Sequence, residues 1–339
     1  MELRPLLIPA WRIEGEARLI IRQDSQILRT LIFGGAGFVG VNLVDSLLKQ
    51  GSKEILVFDN FSMGDNLSRA GLIVDVVKGD MTSSEAVSRA IDDFYPERIF
   101  HLAANSDISA SALDPSLDVR NTFLTTSTLA GALRRTKVKE LVFSSSSAVF
   151  GEVNGPITEV TPLRPVSAYG WMKLSSELIL RDLQRTGHVQ KYLCIRFPNV
   201  TGRWQTHGVI HDLVKKLIAP SDSLEVLGDG SQLKPYSSVL DLVEAIVSLT
   251  AVEFTGELAV NIGPSDQITV SQIVNELLEI SGLAPEVKFA TERSGWRGDV
   301  PEYMFDLAKA ESLIGKHLFR SSLTAIRESI KWELEASGR

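Results

Sequence analysis

The segment Tyr169-Gly170-Trp171-Met172-Lys173 sets a phenol and an ammonium four residues apart. On a helix both side chains leave one face, a turn apart. A free tyrosine, with a pKa of about 10, is a poor base at neutral pH. A lysine cation alongside favours the phenolate and pulls that pKa toward the working range, so Tyr169 could take a proton from a hydroxyl. Taken alone, the spacing arises often by chance and a surface pair is the better reading, so the surroundings must decide. Upstream, Ser144-Ser145-Ser146-Ser147-Ala148-Val149-Phe150-Gly151 follows the apolar run that starts at Leu141. Open α/β sheets present reactive groups at strand C-termini, and a hydroxyl there can hydrogen-bond the same substrate oxygen as Tyr169. The competing reading is a serine-rich loop that satisfies its own backbone.

The element that gives these groups a purpose lies far upstream, in Leu31–Gly40, LIFGGAGFVG. An apolar strand breaks into glycines and resumes as a helical pattern from Phe38. Gly34, Gly37 and Gly40 read GxxGxxG, and from Gly35 the run also reads GxGxxG. Glycines let such a turn adopt positive φ, let a pyrophosphate approach the backbone and let the helix pack close to the strand. The helix N-terminus then offers free N–H groups to phosphates. Asp59 ends a second apolar strand 19 residues past Gly40, where a carboxylate holds a ribose 2′-OH and repels a 2′-phosphate. NAD is therefore expected over NADP, and Tyr169 would act while hydride leaves the same carbon for the oxidised nicotinamide.

Around these motifs the chain alternates strands (Ile27–Phe33, Ile55–Asp59, Leu72–Lys78, Arg98–Leu102, Leu141–Ser145, Tyr192–Arg196) with helices (Phe38–Lys49, Ser84–Phe94, Arg120–Arg134, Tyr169–Leu183). The strands are short and branched-apolar rather than alternating, as in a parallel sheet covered on both faces. The expected fold is α/β: a doubly wound parallel Rossmann sheet with a smaller mixed α/β substrate-binding lobe. After Arg196, glycines and prolines punctuate the sequence and shorter helices follow at Val209–Ile218, Leu240–Leu249 and Val270–Ser281. The expected division is 27–196, with 236–262 returning to it, for the cofactor domain, and 197–235 with 263–339 for the substrate lobe. Residues 1–26 stand apart, as a small hairpin around Gly15 or as a segment without fixed structure.

The 339 residues, 44% apolar and 23% charged, describe a globular protein with room for a sizeable core. A net charge of −7 argues against a nucleic-acid partner. The single cysteine, Cys194, precludes an intramolecular disulfide and sits in an apolar run as a core thiol. No apolar stretch reaches membrane-spanning length, and Arg4, Pro9, Arg12 and Glu14 interrupt the start, so a cytoplasmic protein is expected. His207 and His211 make HxxxH, but Gly208 weakens the helix and no third ligand is apparent, so no metal site is expected.

The pieces GGAGFVG (34–40), FDNFSMG (58–64), Gly79-Asp80, HLAA (101–104), SSSSAVFG (144–151), YGWMK (169–173), RFPNVTG (196–202), GDGSQLKPY (228–236) and RGDVP (297–301) occur in one order. In this the chain resembles the extended short-chain dehydrogenase/reductase family, in its nucleotide-sugar epimerase and dehydratase group. The resemblance implies Ser146, Tyr169 and Lys173 as the catalytic set, with Lys173 holding the nicotinamide ribose. It implies a cofactor site from Gly34, Gly37, Phe38, Val39, Gly40, Asp59, Asn60, Asp80, Met81, Leu102, Ala103, Ala104 and Asn121, with Asp80 near adenine and His101 structural. For a nucleotide-diphosphate sugar it implies Asn199, Lys234, Arg297 or Arg293, and Asp299, with Tyr303 as a pocket-narrowing residue. Four positions depart from the family pattern: Phe150 for tyrosine, Lys234-Pro235 for Arg-Asp, and Trp296 where an arginine is expected. Family members pair through the helices matching Ala112–Arg134 and Tyr169–Leu183, implying a homodimer.

Dehydratases of the group carry an Asp and a Glu directly after the catalytic Ser or Thr, and decarboxylases keep the Glu. Ser147 and Ala148 stand there instead. The remaining set suffices for an epimerase, in which a 4-keto sugar turns over and takes the hydride back on its other face. The leading expectation is NAD-dependent C4 epimerisation of a UDP-sugar. A dehydratase, a decarboxylase, a 4-keto reductase and a non-catalytic nucleotide-binding protein remain as alternatives.

Overall fold

The computed structural model describes residues 28–296, 298–315 and 317–338. The N-terminal hairpin reading, Ile27 and Arg297 lie outside the described residues. Six strands, β1 (Thr30–Phe33), β2 (Ile55–Asp59), β3 (Asp75–Lys78), β4 (Arg98–His101), β5 (Val138–Ser144) and β6 (Val189–Arg196), alternate with helices. These are α1 (Phe38–Lys49), α2 (Asn66–Arg69), α3 (Ser84–Phe94), α4 (Ile108–Leu113), α5 (Ser116–Asp118), α6 (Thr125–Leu133) and α7 (Ala168–Arg185). Beyond them follow β7 (Asn199–Thr201), α8 (Val209–Ile218), β8 (Ser223–Val226), β9 (Leu233–Lys234), β10 (Tyr236–Ser238), α9 (Val239–Thr250) and β11 (Gly256–Asn261). Then come β12 (Ile268–Thr269), α10 (Val270–Ser281), β13 (Glu286–Phe289), α11 (Ala308–Ile314) and α12 (Ser322–Ala336).

The main sheet runs β11-β6-β5-β4-β1-β2-β3 with every pairing parallel. Its order reverses between β1 and β4, which opens a crevice at their C-terminal ends. Side chains alternate across it. Leu31, Phe33, Ile99, Phe143, Tyr192 and Cys194 face α3, α6 and α7. Ile32, Val57, Phe100, Val142, Leu193 and Ile195 face α1, α9 and α11. Both faces are buried, which is why the strands read as continuous apolar runs. A separate core of Ile210, Leu213, Val226, Ile273, Leu277, Ile326 and Ile330 ties α8, β8, α10 and α12 into a second lobe. Among the described residues no helix is long and apolar enough to cross a membrane.

Four helices keep the bounds expected from their apolar period: α1, α3, α8 and α10. The helix expected over Arg120–Arg134 is different. Val119–Leu124 form a π-helical turn and α6 starts only at Thr125. Hydroxyls compete with backbone donors there: Thr125 Oγ1 donates to Asn121 O and Thr122 O, and Thr126 Oγ1 to Thr122 O. The strand expected from Leu72 begins at Asp75. Its first residue instead closes α2, the Leu72 N–H donating to Leu67 O at 3.0 Å.

Candidate active site

Every described site residue named from the sequence, apart from Arg293, lines one cavity of about 970 Å³ over the crevice. Arg293 is on the surface, bonded to Glu302 at 2.7 Å.

At one end the walls are backbone. Gly34 has φ of +80°, and a Cβ there would lie 2.7 Å from Ala103 N. A Cβ on Gly40 would lie 2.3 Å from Gly34 O. These two glycines let the turn and α1 close up. Gly37, the N-cap of α1, is different: no side chain caps the helix, and an added Cβ would meet nothing nearer than 3.4 Å. First-turn N–H groups are thus left for an anionic ligand. Asp59 Oδ2 accepts from Ala36 N at 3.0 Å and Oδ1 from Phe61 N at 2.8 Å. Burial raises its pKa against those bonds, and each oxygen keeps a lone pair for a sugar hydroxyl. Asp80 accepts from Thr82 N and Oγ1 at 2.8 and 2.9 Å; these bonds and Arg120 hold its carboxyl below the usual range. The open Gly37 face, the uncapped helix and the fixed Asp59 fit a dinucleotide without a 2′-phosphate.

In the middle stand the groups that could move a proton. Ser146, two residues past the end of β5, is the N-cap of a 3₁₀ turn, Ser147–Val149, its Oγ accepting from Ala148 N at 3.2 Å. Tyr169 opens α7, which Ser167 caps by accepting from Gly170 N. A Cβ on Gly170 would lie 2.4 Å from Ala148 O, so glycine here lets α7 press against the Ser146 turn. That approach brings Ser146 into hydrogen-bonding range of the Tyr169 phenol. Burial pushes the phenol pKa up, the Ser146 bond pulls it down, and the Asp118 charge raises it further. Lys173 is 2% exposed, and its Nζ donates to Ser144 O at 2.6 Å and lies 5.7 Å from the Tyr169 ring centre. Burial lowers its pKa to about 8, while Cys194, Glu177 and Asp118 hold it up. As expected from sequence, Cys194 is a core thiol, its pKa raised well above the ordinary value by burial.

Beneath this set is a buried network missing from the sequence reading. Glu177 takes two bonds from Arg196, at 2.9 and 2.7 Å, and one from Ser145 Oγ. Both ions are 0% exposed. The pair anchors β6 and α7 to the Ser144–Ser146 strand end. Tyr169, Lys173 and Glu177 fall at i, i+4 and i+8, a spacing that could have pointed to Glu177.

At the other end the walls are side chains. Asn199 Nδ2 lies 3.5 Å from the hydroxyl of Tyr303, which is 7% exposed. Lys234 forms an ion pair with Asp299, whose Oδ2 also accepts from Gly295 N at 3.2 Å. Gln232 and Trp296 line the cavity too. His207 faces the cavity, whereas His211 Nδ1 is engaged by Glu333 at 3.1 Å. His101 is fully buried with Nε2 2.8 Å from Thr126 Oγ1, and burial lowers its pKa to about 3. A neutral imidazole packed in the sheet is structural.

Residues 30–263 match the model of the NAD dependent epimerase/dehydratase family. The chain is 29% identical to the UDP-glucose 4-epimerase of Azospirillum brasilense, over 92% of this chain and 93% of that protein. It is also 29% identical to the UDP-glucose 4-epimerase of Bacillus subtilis (strain 168), over 89% and 96%. A solved UDP-galactose 4-epimerase superposes with a TM-score of 0.80 at 29% identity, covering 91% of this chain and 99% of that one. The NAD complex of the Thermus thermophilus UDP-glucose 4-epimerase gives 0.80 at 28% identity, with the same coverage. The family match over most of the chain agrees with the glycine cradle and the parallel sheet order: the chain belongs to the NAD dependent epimerase/dehydratase family.

Proposed function

We propose that the protein interconverts the C4 epimers of a nucleotide-diphosphate sugar, with a UDP-sugar as substrate and NAD as resident cofactor. The observation that carries this reading is Ser146, Tyr169 and Lys173 gathered beside the dinucleotide cradle, with Ser147 and Ala148 where a dehydratase needs acids. The names of the epimerase relatives support it.

Gly34, Gly37, Gly40, Asp59 and Asp80 would hold NAD, which supplies a hydride acceptor at the sugar. Tyr169 takes the proton of the C4 hydroxyl, and Ser146 hydrogen-bonds the same oxygen as it becomes a carbonyl. The Lys173 cation favours the phenolate. Tyr169 then returns the proton once the keto sugar has presented its other face. The cavity of about 970 Å³ runs from the cofactor cradle to Asn199, Lys234 and Tyr303, so cofactor and sugar nucleotide would share one space. We propose Asn199, Tyr303, Lys234 and Asp299 as the substrate end, with residues 28–196 and 236–262 forming the cofactor half. We also propose a cytoplasmic homodimer: Leu113, Val119, Leu124, Trp171 and Leu178 leave an exposed apolar face on the α4 to α7 helices.

The test is product identification. Purified protein given UDP-glucose is expected to yield UDP-galactose with no net NADH. Release of water or CO₂, or stoichiometric NADH, would replace epimerisation with one of its rivals.

A further inference from the structure

Lys173 is a buried ammonium with no carboxylate bonded to it. Among the described residues its one hydrogen bond is to Ser144 O, and its Nζ lies 4.9 Å from the Phe143 ring centre. A buried cation needs an anion to balance it, so the titratable groups packed around Lys173 can be taken in turn. From β4, His101 is neutral, its pKa held at about 3 by burial. From β6, Cys194 stays a thiol because burial raises its pKa well above the ordinary value. From α7, burial pushes the Tyr169 phenol up and keeps its proton on, while Glu177 is spent on the two bonds from Arg196. The remaining anion is Asp118.

Asp118, 0% exposed, ends α5 and leads into the π-helical turn Val119–Leu124; both elements pack against α7. Its Oδ1 accepts from Asn105 Nδ2 at 2.8 Å, and its Oδ2 is buried without a partner. Asn105 is itself held in place. Its Nδ2 also donates to Asp107 O at 3.0 Å, and its main-chain N–H donates to Thr122 Oγ1 at 3.0 Å. A neutral amide fixes a carboxylate without cancelling its charge, and a charge left uncancelled in a low-dielectric interior acts on what lies near it. Both Tyr169 and Lys173 feel this one. Asp118 does not itself line the cavity, so it is placed to act through Lys173 rather than on a ligand.

We propose that Asp118 is a positioning residue of the proton-transfer set: its carboxylate, fixed by Asn105, is the counter-charge that keeps Lys173 an ammonium beside Tyr169. This rests on the acid/base reading of Tyr169 and Lys173 above.

Asp118→Asn keeps the shape and removes the charge. Without its counter-charge Lys173 gives up its proton at lower pH, and Tyr169, no longer facing an anion, does the same. Both limbs of the kcat/KM profile for UDP-glucose are expected to move to lower pH by roughly half a unit or more, with the Kd of UDP unchanged. Asp118→Glu restores the charge and should bring the limbs back toward their wild-type positions. A variant that loses turnover equally at every pH overturns the proposal, as does a glutamate whose limbs coincide with those of the asparagine. A second measurement needs neither mutation nor turnover. The coupling is reciprocal, so the Asp118 carboxyl carbon of wild type labelled with ¹³C-aspartate should shift as Lys173 deprotonates near pH 8. A resonance that stays put through the alkaline range overturns the assignment even where both variants fail to fold. A wild-type profile with no alkaline limb sinks this proposal and the acid/base reading together. Wild-type limbs in Asp118→Asn sink this one alone.

Discussion

The two ends of the cavity are built from different material. At the cofactor end the walls are main chain, and what matters at Gly34, Gly37 and Gly40 is the absence of a side chain. At the end proposed for the sugar nucleotide the walls are side chains, and partners such as Lys234 and Asp299 stand 65 residues apart in sequence. A backbone cradle is rigid and tolerates almost no substitution at its close approaches. A side-chain corner can be rebuilt one residue at a time, and Trp296 stands in it where an arginine was expected from the sequence. On the proposed reading this is a division of labour: the first end would fix which cofactor is held, and the second would be free to set which substrate is taken.

Tyr169 stands where the two ends meet, and its loss should separate chemistry from binding most sharply. Tyr169→Phe removes the proton acceptor and keeps the ring. Epimerisation is expected to fall roughly a thousandfold or more, in the range of a lost general base. NAD content, read from the absorbance of the denatured protein, should be unchanged. A variant that keeps more than a tenth of wild-type turnover would remove Tyr169 from the acid/base role.

Within the cofactor end, the glycines themselves should part company. Gly40→Ala drives a Cβ to 2.3 Å from Gly34 O, a backbone atom that cannot swing away. The expected cost is about 3 kcal/mol of stability, at the upper end for overpacking. Gly37→Ala has φ of −74° and space for its Cβ. It should cost no more than about 1 kcal/mol as an N-cap change, yet weaken NAD binding by filling the face the phosphates approach. Thermal unfolding and NAD retention, measured on both variants, check this. Similar stability losses in the two would mean that the cradle is not divided into packing and ligand-facing glycines.

How far each end was legible follows from the same contrast. Glycine spacing, strand composition and the carboxylate that ends β2 are local signals, so the turn, Asp59 and the parallel sheet could be read directly. The period of apolar residues placed α1 and α10 correctly. It could not reveal the π-helical turn at Val119–Leu124, because threonine hydroxyls rather than apolar positions choose it. Helical spacing could point to Glu177, but nothing in the sequence announces that its partner is Arg196, or that Lys234 and Asp299 pair with each other. Trp296 could be seen as out of place in the sequence. Only the fold shows its buried nitrogen beside an ammonium.

Lys173 offers a milder perturbation of the joint, made with pH alone. Its folded-state pKa of about 8 lies below the ordinary 10.5 because burial penalises the ammonium. The cation is therefore present below pH 8 and lost as pH rises through it, and the support for the Tyr169 phenolate goes with it. The alkaline limb of kcat/KM, which reports the substrate-free enzyme, is expected near pH 8. A profile flat to pH 9.5 would detach Lys173 from the activation of Tyr169.

The smallest effect compares a histidine from each half, and the two carry opposite signs. His101 in the sheet has a folded pKa of about 3 against 6.5, so the unfolded chain takes up a proton that the folded one refuses. Its contribution is complete above pH 6.5 and is lost as pH falls from 6.5 toward 3. His211 in the second lobe is raised above 6.5 by its bond to Glu333. Its contribution is complete below pH 6.5 and is lost as pH rises through the raised value. The His211 side chain is 29% exposed, so the pair contributes less than about 1 kcal/mol. His211→Gln should accordingly lower the unfolding free energy at pH 6 by a few tenths of a kcal/mol more than at pH 8.5. Denaturant titrations at the two pH values measure the difference, and an equal loss at both would show that His211 supports the lobe by packing, with no charge in play.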